Sequence, residues 1–236
     1  FVVMYHFFFI TLQHEKKTMN CLVVAATATE ITPFLKKYRA KTGLSPAIKT
    51  DILITGIGLT AATYSLMKQL NNKRPDLIIQ AGVGGCFDRS VALGSVLAIK
   101  QEAIADQGVM EHGQLKTLFD LKLAAQNQFP YSKGWLVNKN EVLKKVKMKK
   151  VKGISVNEIT TSKQKIKFYT EIFNPVTESM EGAALHYVCL KEKIPFLQIR
   201  SVSNYIGERN KKNWNMKESI ANLNLELIKI ITTIAG

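Results

Sequence analysis

Five short apolar runs recur along this chain, separated by stretches of helical periodicity, and that alternation restricts it to a small set of architectures. The runs are Cys21–Ala26, Asp51–Thr55, Asp76–Ala81, Gly94–Ile99 and Pro195–Ser203. Near-continuous apolar runs of this length read as strands buried on both faces. Helical patterns fall between them, over roughly 29–39, 59–70, 117–127, 139–148, 163–172 and 180–191. The last helix is the cleanest, with Met216, Ile220, Leu223, Leu227, Ile230 and Ile231 repeating at three- and four-residue steps. The order predicts an α/β fold with a parallel or mixed sheet and helices on both faces. No repeat, low-complexity segment or linker interrupts it, so one domain over 19–236 is expected.

With 236 residues and 46% apolar content, the chain can bury a sizeable core. Cys21, Cys86 and Cys189 lie far apart with no CxxC pair, which fits a reducing cytoplasmic setting rather than a disulfide framework or zinc site. The net charge of +15 reads mainly as a solvated lysine surface. Its densest run, Lys144–Lys152, has no interleaved aromatics and reads as a helix end and loop, not a nucleic-acid platform. Attraction of an anionic small substrate is a further reading of the charge. Residues 1–18 look foreign to the domain. Their apolar stretch Phe7–Leu12 is too short to span a bilayer and lacks signal-peptide flanks. They are expected to be a non-native or disordered extension, with Met19 as the start and Met4 as an alternative.

The chemistry concentrates in a few places. Glu178-Ser179-Met180-Glu181 precedes an apolar helix through Leu185, Val188 and Cys189, and an acid at a helix start gains from the macrodipole. A carboxylate against an apolar wall suits a ligand with hydroxyls or developing positive charge, and ribose at a cleaving glycosidic bond offers both. Two glycine-rich turns, Thr55-Gly56-Ile57-Gly58 and Ala81-Gly82-Val83-Gly84-Gly85, follow strands and let backbone N–H groups approach a ligand. Neither completes a dinucleotide or Walker motif, and each taken alone is equally a tight turn.

Together with Ala25-Ala26-Thr27-Ala28-Thr29-Glu30 and Arg200-Ser201-Val202-Ser203-Asn204, these segments resemble the nucleoside phosphorylase and nucleosidase superfamily over almost all of 19–236. The resemblance implies a single three-layer domain with a central mixed sheet flanked by helices. Within the superfamily, Val202-Ser203-Asn204-Tyr205-Ile206-Gly207 with Arg209 and Trp214 is similar to the futalosine hydrolases. That likeness implies release of hypoxanthine from futalosine in the alternative menaquinone pathway. Methylthioadenosine/S-adenosylhomocysteine nucleosidases typically carry Asp at the Asn204 position. Bacterial hexameric phosphorylases carry Arg and Ser at the positions of Gln80 and Val83, and both help hold phosphate. Their absence favours water as the nucleophile. A nucleosidase of the methylthioadenosine type and a purine nucleoside phosphorylase stay as alternatives.

The resemblance assigns roles residue by residue. Glu30 is the expected general base for water. Glu181 faces the ribose hydroxyls and the cationic sugar. Asn204 hydrogen-bonds the departing base, since its amide donates but cannot deliver a proton. Met180 packs on the sugar, Ser203 assists Asn204, and Gly82, Val83 and Ile159 line the substrate. Arg209 is a candidate partner for futalosine's benzoate-type group, and Asp106 and His112 lie in a segment near the site or a subunit interface. The histidines show no ligand spacing, so no metal or other cofactor is expected. The expected partners are a nucleoside substrate and further copies of the chain, with neither nucleic acid nor membrane.

Overall fold

A computed structural model of the protein describes residues 18–40 and 48–234. The expected extension therefore lies, apart from Thr18, outside the described residues. The elements run β1 (Met19–Ala25), a 3₁₀ turn (Ala28–Ile31), α1 (Thr32–Arg39), β2 (Ile48–Ile54), α2 (Leu59–Asn72), β3 (Leu77–Cys86) and β4 (Val96–Ile104). There follow β5 (Gly108–Glu111), β6 (Gln114–Thr117), β7 (Tyr131–Ser132), β8 (Trp135–Val137), α3 (Glu141–Lys145) and β9 (Lys150–Ser155). The chain ends through α4 (Lys163–Phe173), β10 (Thr177–Ser179), α5 (Gly182–Lys191), β11 (Phe196–Tyr205) and α6 (Met216–Ile234).

The mixed α/β architecture is the expected one. β1 alternates Cys21, Val23 and Ala25 into a core with α1, α3 and α6, and Leu22 and Val24 into a second core with α2 and α5. Burial on both faces is why the strand reads as continuously apolar. β2, β1 and β3 are parallel. Beyond β3 the sheet closes on itself: β3 pairs β11 and β10, β11 pairs β4, β4 pairs β9, and β9 pairs β10. β3 is thus the shared wall of an open sheet and a closed five-strand circuit, and its glycine-rich end opens at the circuit's mouth. Among the described residues no helix is long and apolar enough to cross a membrane.

Two expectations are corrected. The helix expected over 117–127 is a run of turns. The Asp120 carboxyl accepts the Thr117 amide and hydroxyl at 2.8 and 2.7 Å, and Lys122 takes a positive φ of 56°, so the chain coils locally instead of propagating. The lysine run does not end as a loop. The helix expected over 139–148 stops at Lys145, and Lys150–Ser155 forms β9. Val151 is buried between exposed Lys150 and half-buried Lys152, a period of two that lysines disguised. Lys152 Nζ donates to Phe173 O at 2.9 Å and lies over the Trp135 ring.

Asn224 of α6 ties this frame to the segment carrying Glu30. Its Oδ1 accepts the Phe34 amide at 3.0 Å, and its Nδ2 donates to Glu30 O at 2.8 Å, all buried. Asn224→Ala orphans both backbone groups and is expected to cost about 2–3 kcal/mol. Urea or thermal unfolding checks this, the melting point falling by about 5–10 °C.

Candidate active site

A cavity of about 280 Å³ opens where β3, β10 and β11 end. Its wall includes Thr27 and Glu30 after β1, Ile57 from the first glycine turn, Val83, Gly84 and Gly85 of β3, and Glu178 to Glu181. Ser203, Asn204, Ile206, Trp214 and Met216 complete one side, and Ile159 another. Glu30, Glu181, Asn204, Met180, Ser203, Val83 and Ile159 are therefore brought together as expected. Gly82 sits behind the wall. Arg209 is exposed and lies over the Trp214 ring at 5.6 Å instead of lining the cavity. Asp106 and His112 are also away from the wall: Asp106 accepts from the Asn157 amide, and His112 is exposed at the β5–β6 turn with a φ of 49°.

Each acid is held by backbone. Glu30 reaches back to the Thr27 amide and hydroxyl at 3.0 and 3.2 Å, the return half of a capping box, while its Oε1 accepts the Val83 amide at 3.0 Å. Glu181 is the N-cap residue of α5, yet it does not cap its own helix. Ser179 Oγ accepts the Gly182 amide at 3.3 Å and Ser155 Oγ the Ala183 amide at 2.8 Å, which leaves the Glu181 carboxyl free to face the cavity. Its Oε1 accepts the Gly58 amide at 3.1 Å. Gly58 takes a φ of 94°, a conformation that favours glycine.

Behind the acids lies Arg200, which the sequence displayed in a strand but to which no role was given. Among the described residues it is the largest fully buried side chain. Its Nη2 donates to Gln80 Oε1 at 3.0 Å and lies 3.5 Å from Glu181 Oε2. Gly82 pairs with Arg200 in register across β3 and β11. A Cβ at residue 82 would fall on Arg200 Nη1 and lie 3.0 Å from Glu30 Oε1. The missing side chain is what lets guanidinium and acid approach.

Asn204 is aimed by a bulge. The register of β11 on β3 shifts between Val202 and Asn204. The start of α6 anchors the irregular backbone, Asn215 N donating to Ser203 O and Ser219 Oγ to Val202 O at 2.8 and 2.7 Å. The Ser203 hydroxyl donates to Asn204 Oδ1 at 2.8 Å. Asn204 Nδ2 donates to Tyr205 O at 3.2 Å, which leaves the second N–H to donate into the cavity.

Glu178 was also missed. It is buried, lines the cavity, and accepts the Thr160 amide at Oε1 at 3.0 Å. Its Oε2 has no partner, and burial raises its pKa above the ordinary range. An acid two residues from each of Val176 and Met180, in a short segment between α4 and α5, was the available signal. Among the described residues no group of His, Cys, Asp and Glu side chains is arranged to hold a metal ion.

A second polar cluster lies under α5. Glu102 Oε1 accepts from Gln198 Nε2 at 2.9 Å and its Oε2 from Ser155 Oγ at 3.2 Å. His186 Nδ1 meets Leu136 O at 2.9 Å, leaving His186 Nε2 and Gln198 Oε1 unpartnered. Protonating Glu102 and turning the Gln198 amide over satisfies every one of these atoms: Glu102 donates to Gln198, and Gln198 donates to neutral His186. The burial that favours this form pushes Glu102 up to about 7 and His186 down to about 4.

Comparison with known proteins places this geometry among relatives. A sequence profile described as "Phosphorylase superfamily" matches residues 23–234. A 5'-methylthioadenosine/S-adenosylhomocysteine nucleosidase of Buchnera aphidicola is 26% identical over 80% of this chain and 81% of that protein. The futalosine hydrolase of Thermus thermophilus is 25% identical over 72% of this chain and 76% of that protein. A crystal structure of a Helicobacter pylori nucleosidase variant with 5'-methylthioadenosine in its active site superposes with a TM-score of 0.74 at 16% identity, covering 90% of this chain and 98% of that one. At that identity the likeness concerns the fold.

The buried cluster yields a pH prediction. A folded-state Glu102 pKa above the ordinary 4.5 means that its contribution to stability is whole below pH 4.5 and lost as pH rises through about 7. His186 works the other way, its contribution being lost as pH falls through about 4, so the two mask each other in the wild type. Glu102→Gln imitates the protonated form. Between pH 4.5 and 7.5 the stability difference should move in the variant's favour by about 3 kcal/mol. Urea midpoints across that range measure it, and a pH-independent difference contradicts it.

Proposed function

Because the chain belongs to the phosphorylase superfamily, we propose that it hydrolyses the N-glycosidic bond of a purine nucleoside, and that the substrate is futalosine. The observation that carries the hydrolytic reading is the wall itself: Glu30, Glu178 and Glu181 line one cavity, and no Lys, Arg or His lines it with them. A phosphate nucleophile would find repulsion there and no charge-assisted hydrogen bond. The nearby guanidinium is buried and turned to Gln80 and Glu181.

In this reading the ribose rests on Met180 with its hydroxyls toward Glu181. As the bond from C1' to the base lengthens, positive charge develops on the sugar, and the carboxylates stabilise it. Asn204 Nδ2 donates to the purine's N7 edge and steadies the negative charge on the departing base, its amide held by Ser203. Glu30, fixed at both oxygens by Thr27 and Val83, orients a water and takes its proton as it attacks C1'. Ile57, Ile159, Trp214 and Met216 give an apolar surround for the substituent at the far end of the ribose. Arg209, stacked on Trp214 of the cavity wall, is the cation assigned to a benzoate carboxylate leaving that mouth.

A second reading, hydrolysis of methylthioadenosine, draws on the same apolar surround and on the Buchnera relative. The donor presented by Asn204 favours the first, because a 6-oxopurine offers two acceptors, O6 and N7, on that edge. Association into a homo-oligomer belongs to this proposal too, and sedimentation measures it.

Incubation of the protein with futalosine should release hypoxanthine, and incubation with methylthioadenosine should release adenine at least ~10-fold more slowly. Glu30→Gln should lower kcat by about 10²–10⁴-fold, the span of general-base contributions, while leaving substrate affinity within a few-fold. Adenine release as the faster reaction supports the second reading. Near-normal turnover of Glu30→Gln removes it as the base.

A further inference from the structure

A single acid organises the cationic loop between β11 and α6. Ile206–Asn215 carries Arg209, Lys211 and Lys212, with Glu208 as its one acid. Backbone bonds fix the loop at its ends, Ile206 N donating to Cys86 O at 2.9 Å and Asn215 N to Ser203 O at 2.8 Å. Between those anchors the half-buried Glu208 gathers the chain. Its Oε1 accepts the Asn210 amide and its Oε2 accepts from Asn213 Nδ2, both at 2.7 Å. Its carbonyl accepts Trp214 Nε1 at 3.1 Å. The Asn213 and Asn210 donors hold the Glu208 carboxyl below the usual carboxylate range, so these are bonds to a charged acceptor.

Those bonds lead to the cavity, because Trp214 is part of its wall. The indole is fixed at two points, its Nε1 on the Glu208 carbonyl and its ring beneath the Arg209 guanidinium at 5.6 Å. Both points belong to consecutive residues, so where the indole sits follows from the shape of this one turn. Glu208 shapes the turn and is itself outside the wall. Ordering a loop costs conformational entropy, and bringing Arg209, Lys211 and Lys212 together adds like-charge repulsion. The Glu208 carboxylate offsets both, by its charge and by bonds that span the loop.

Resting on the substrate reading above, we infer that Glu208 is a positioning residue that holds Trp214 against the substituent at the far end of the ribose, and so sets how tightly that substituent is bound. It touches neither the base nor the bond that breaks. Loss of its carboxyl loosens this wall and leaves Glu30, Glu181 and Asn204 in place, since other contacts hold them. Binding lost equally from ground and transition states shows in KM and not in kcat. A Gln at position 208 keeps the arrangement. Its oxygen accepts the Asn210 amide, and its NH₂ donates to Asn213 once that side-chain amide turns over. An Ala keeps neither bond.

The test compares the full-length wild type with Glu208→Ala and Glu208→Gln. Futalosine is the substrate, and inosine, which has the same base and ribose without the substituent, is the competing ligand. Glu208→Ala should raise KM for futalosine at least ~5-fold, with kcat and the inhibition constant of inosine each within about 2-fold of the wild type. Glu208→Gln should return KM to within about 2-fold. Acrylamide quenching of tryptophan fluorescence, with Trp214→Phe giving the share of Trp135, should show Trp214 more accessible in Glu208→Ala. An unchanged KM overturns the inference, as does a rise in KM matched by the inosine constant, a Glu208→Gln as impaired as Glu208→Ala, or unchanged quenching of Trp214. Futalosine left uncleaved by the wild type overturns the substrate reading and this selectivity with it, whereas normal cleavage with Glu208→Ala unmoved overturns this inference alone.

Discussion

A guanidinium sealed inside the protein governs how the site is built. Arg200 sits in the middle of an apolar strand and is 1% exposed. A charge so placed must be paired and hydrogen-bonded, or the fold loses several kcal/mol. Gln80 supplies an amide oxygen and Glu181 a carboxyl. Gly82 supplies the room, being the residue directly across the sheet. The pairing fixes Glu181 from behind, and the Gly58 amide fixes it from the side. Glu30 is held by the β3 backbone at Val83, next to that same glycine. Two acids from segments 151 positions apart are thus registered on one strand, β3.

The helix that carries Glu181 depends on a second arrangement that uses no net charge when Glu102 is protonated. Ser155 gives its lone pairs to the Ala183 amide and its proton to Glu102, so the first turn of α5 is capped from below. Gln198 and His186 extend the chain of hydrogen bonds to Leu136 O. Gly153 and Gly182 leave space for the Glu102 carboxyl, since a Cβ at either would press on its Oε1. The charged pair and the neutral network lie two residues apart on β11, at Arg200 and Gln198. One strand therefore supports both the carboxylate that faces the cavity and the helix start that presents it.

How much of this can be read in the sequence depends on whether a residue's meaning is local. The apolar runs of β1, β3 and β11 announce themselves because both faces are buried. Glu30 and Glu181 stand out as acids at the edges of apolar elements, and Asn204 as the end of a strand motif. β9 is hidden because its outward positions are lysines, and 117–127 imitates a helix through apolar spacing that Thr117 and Asp120 override. Arg200 is in plain view as a charge within an apolar run, and Glu178 as an acid between Thr177 and Ser179. Their settings depend on what faces them across the sheet: Gly82 for one, Gly85 for the other. Register across a closed circuit of strands is not a local property, and it decides which residues face one another. Arg209 shows the converse, a residue in the right loop whose side chain stacks on Trp214 outside the wall.

The account turns on water, not phosphate, reaching the sugar between Glu30 and Glu181. Its most direct test is to follow base release from futalosine with and without inorganic phosphate, watching the sugar product by phosphorus NMR. The account predicts the same rate in both conditions and no sugar 1-phosphate. A rate that rises with phosphate, accompanied by a sugar 1-phosphate signal, would contradict it and show that the acid-lined cavity admits the anion after all.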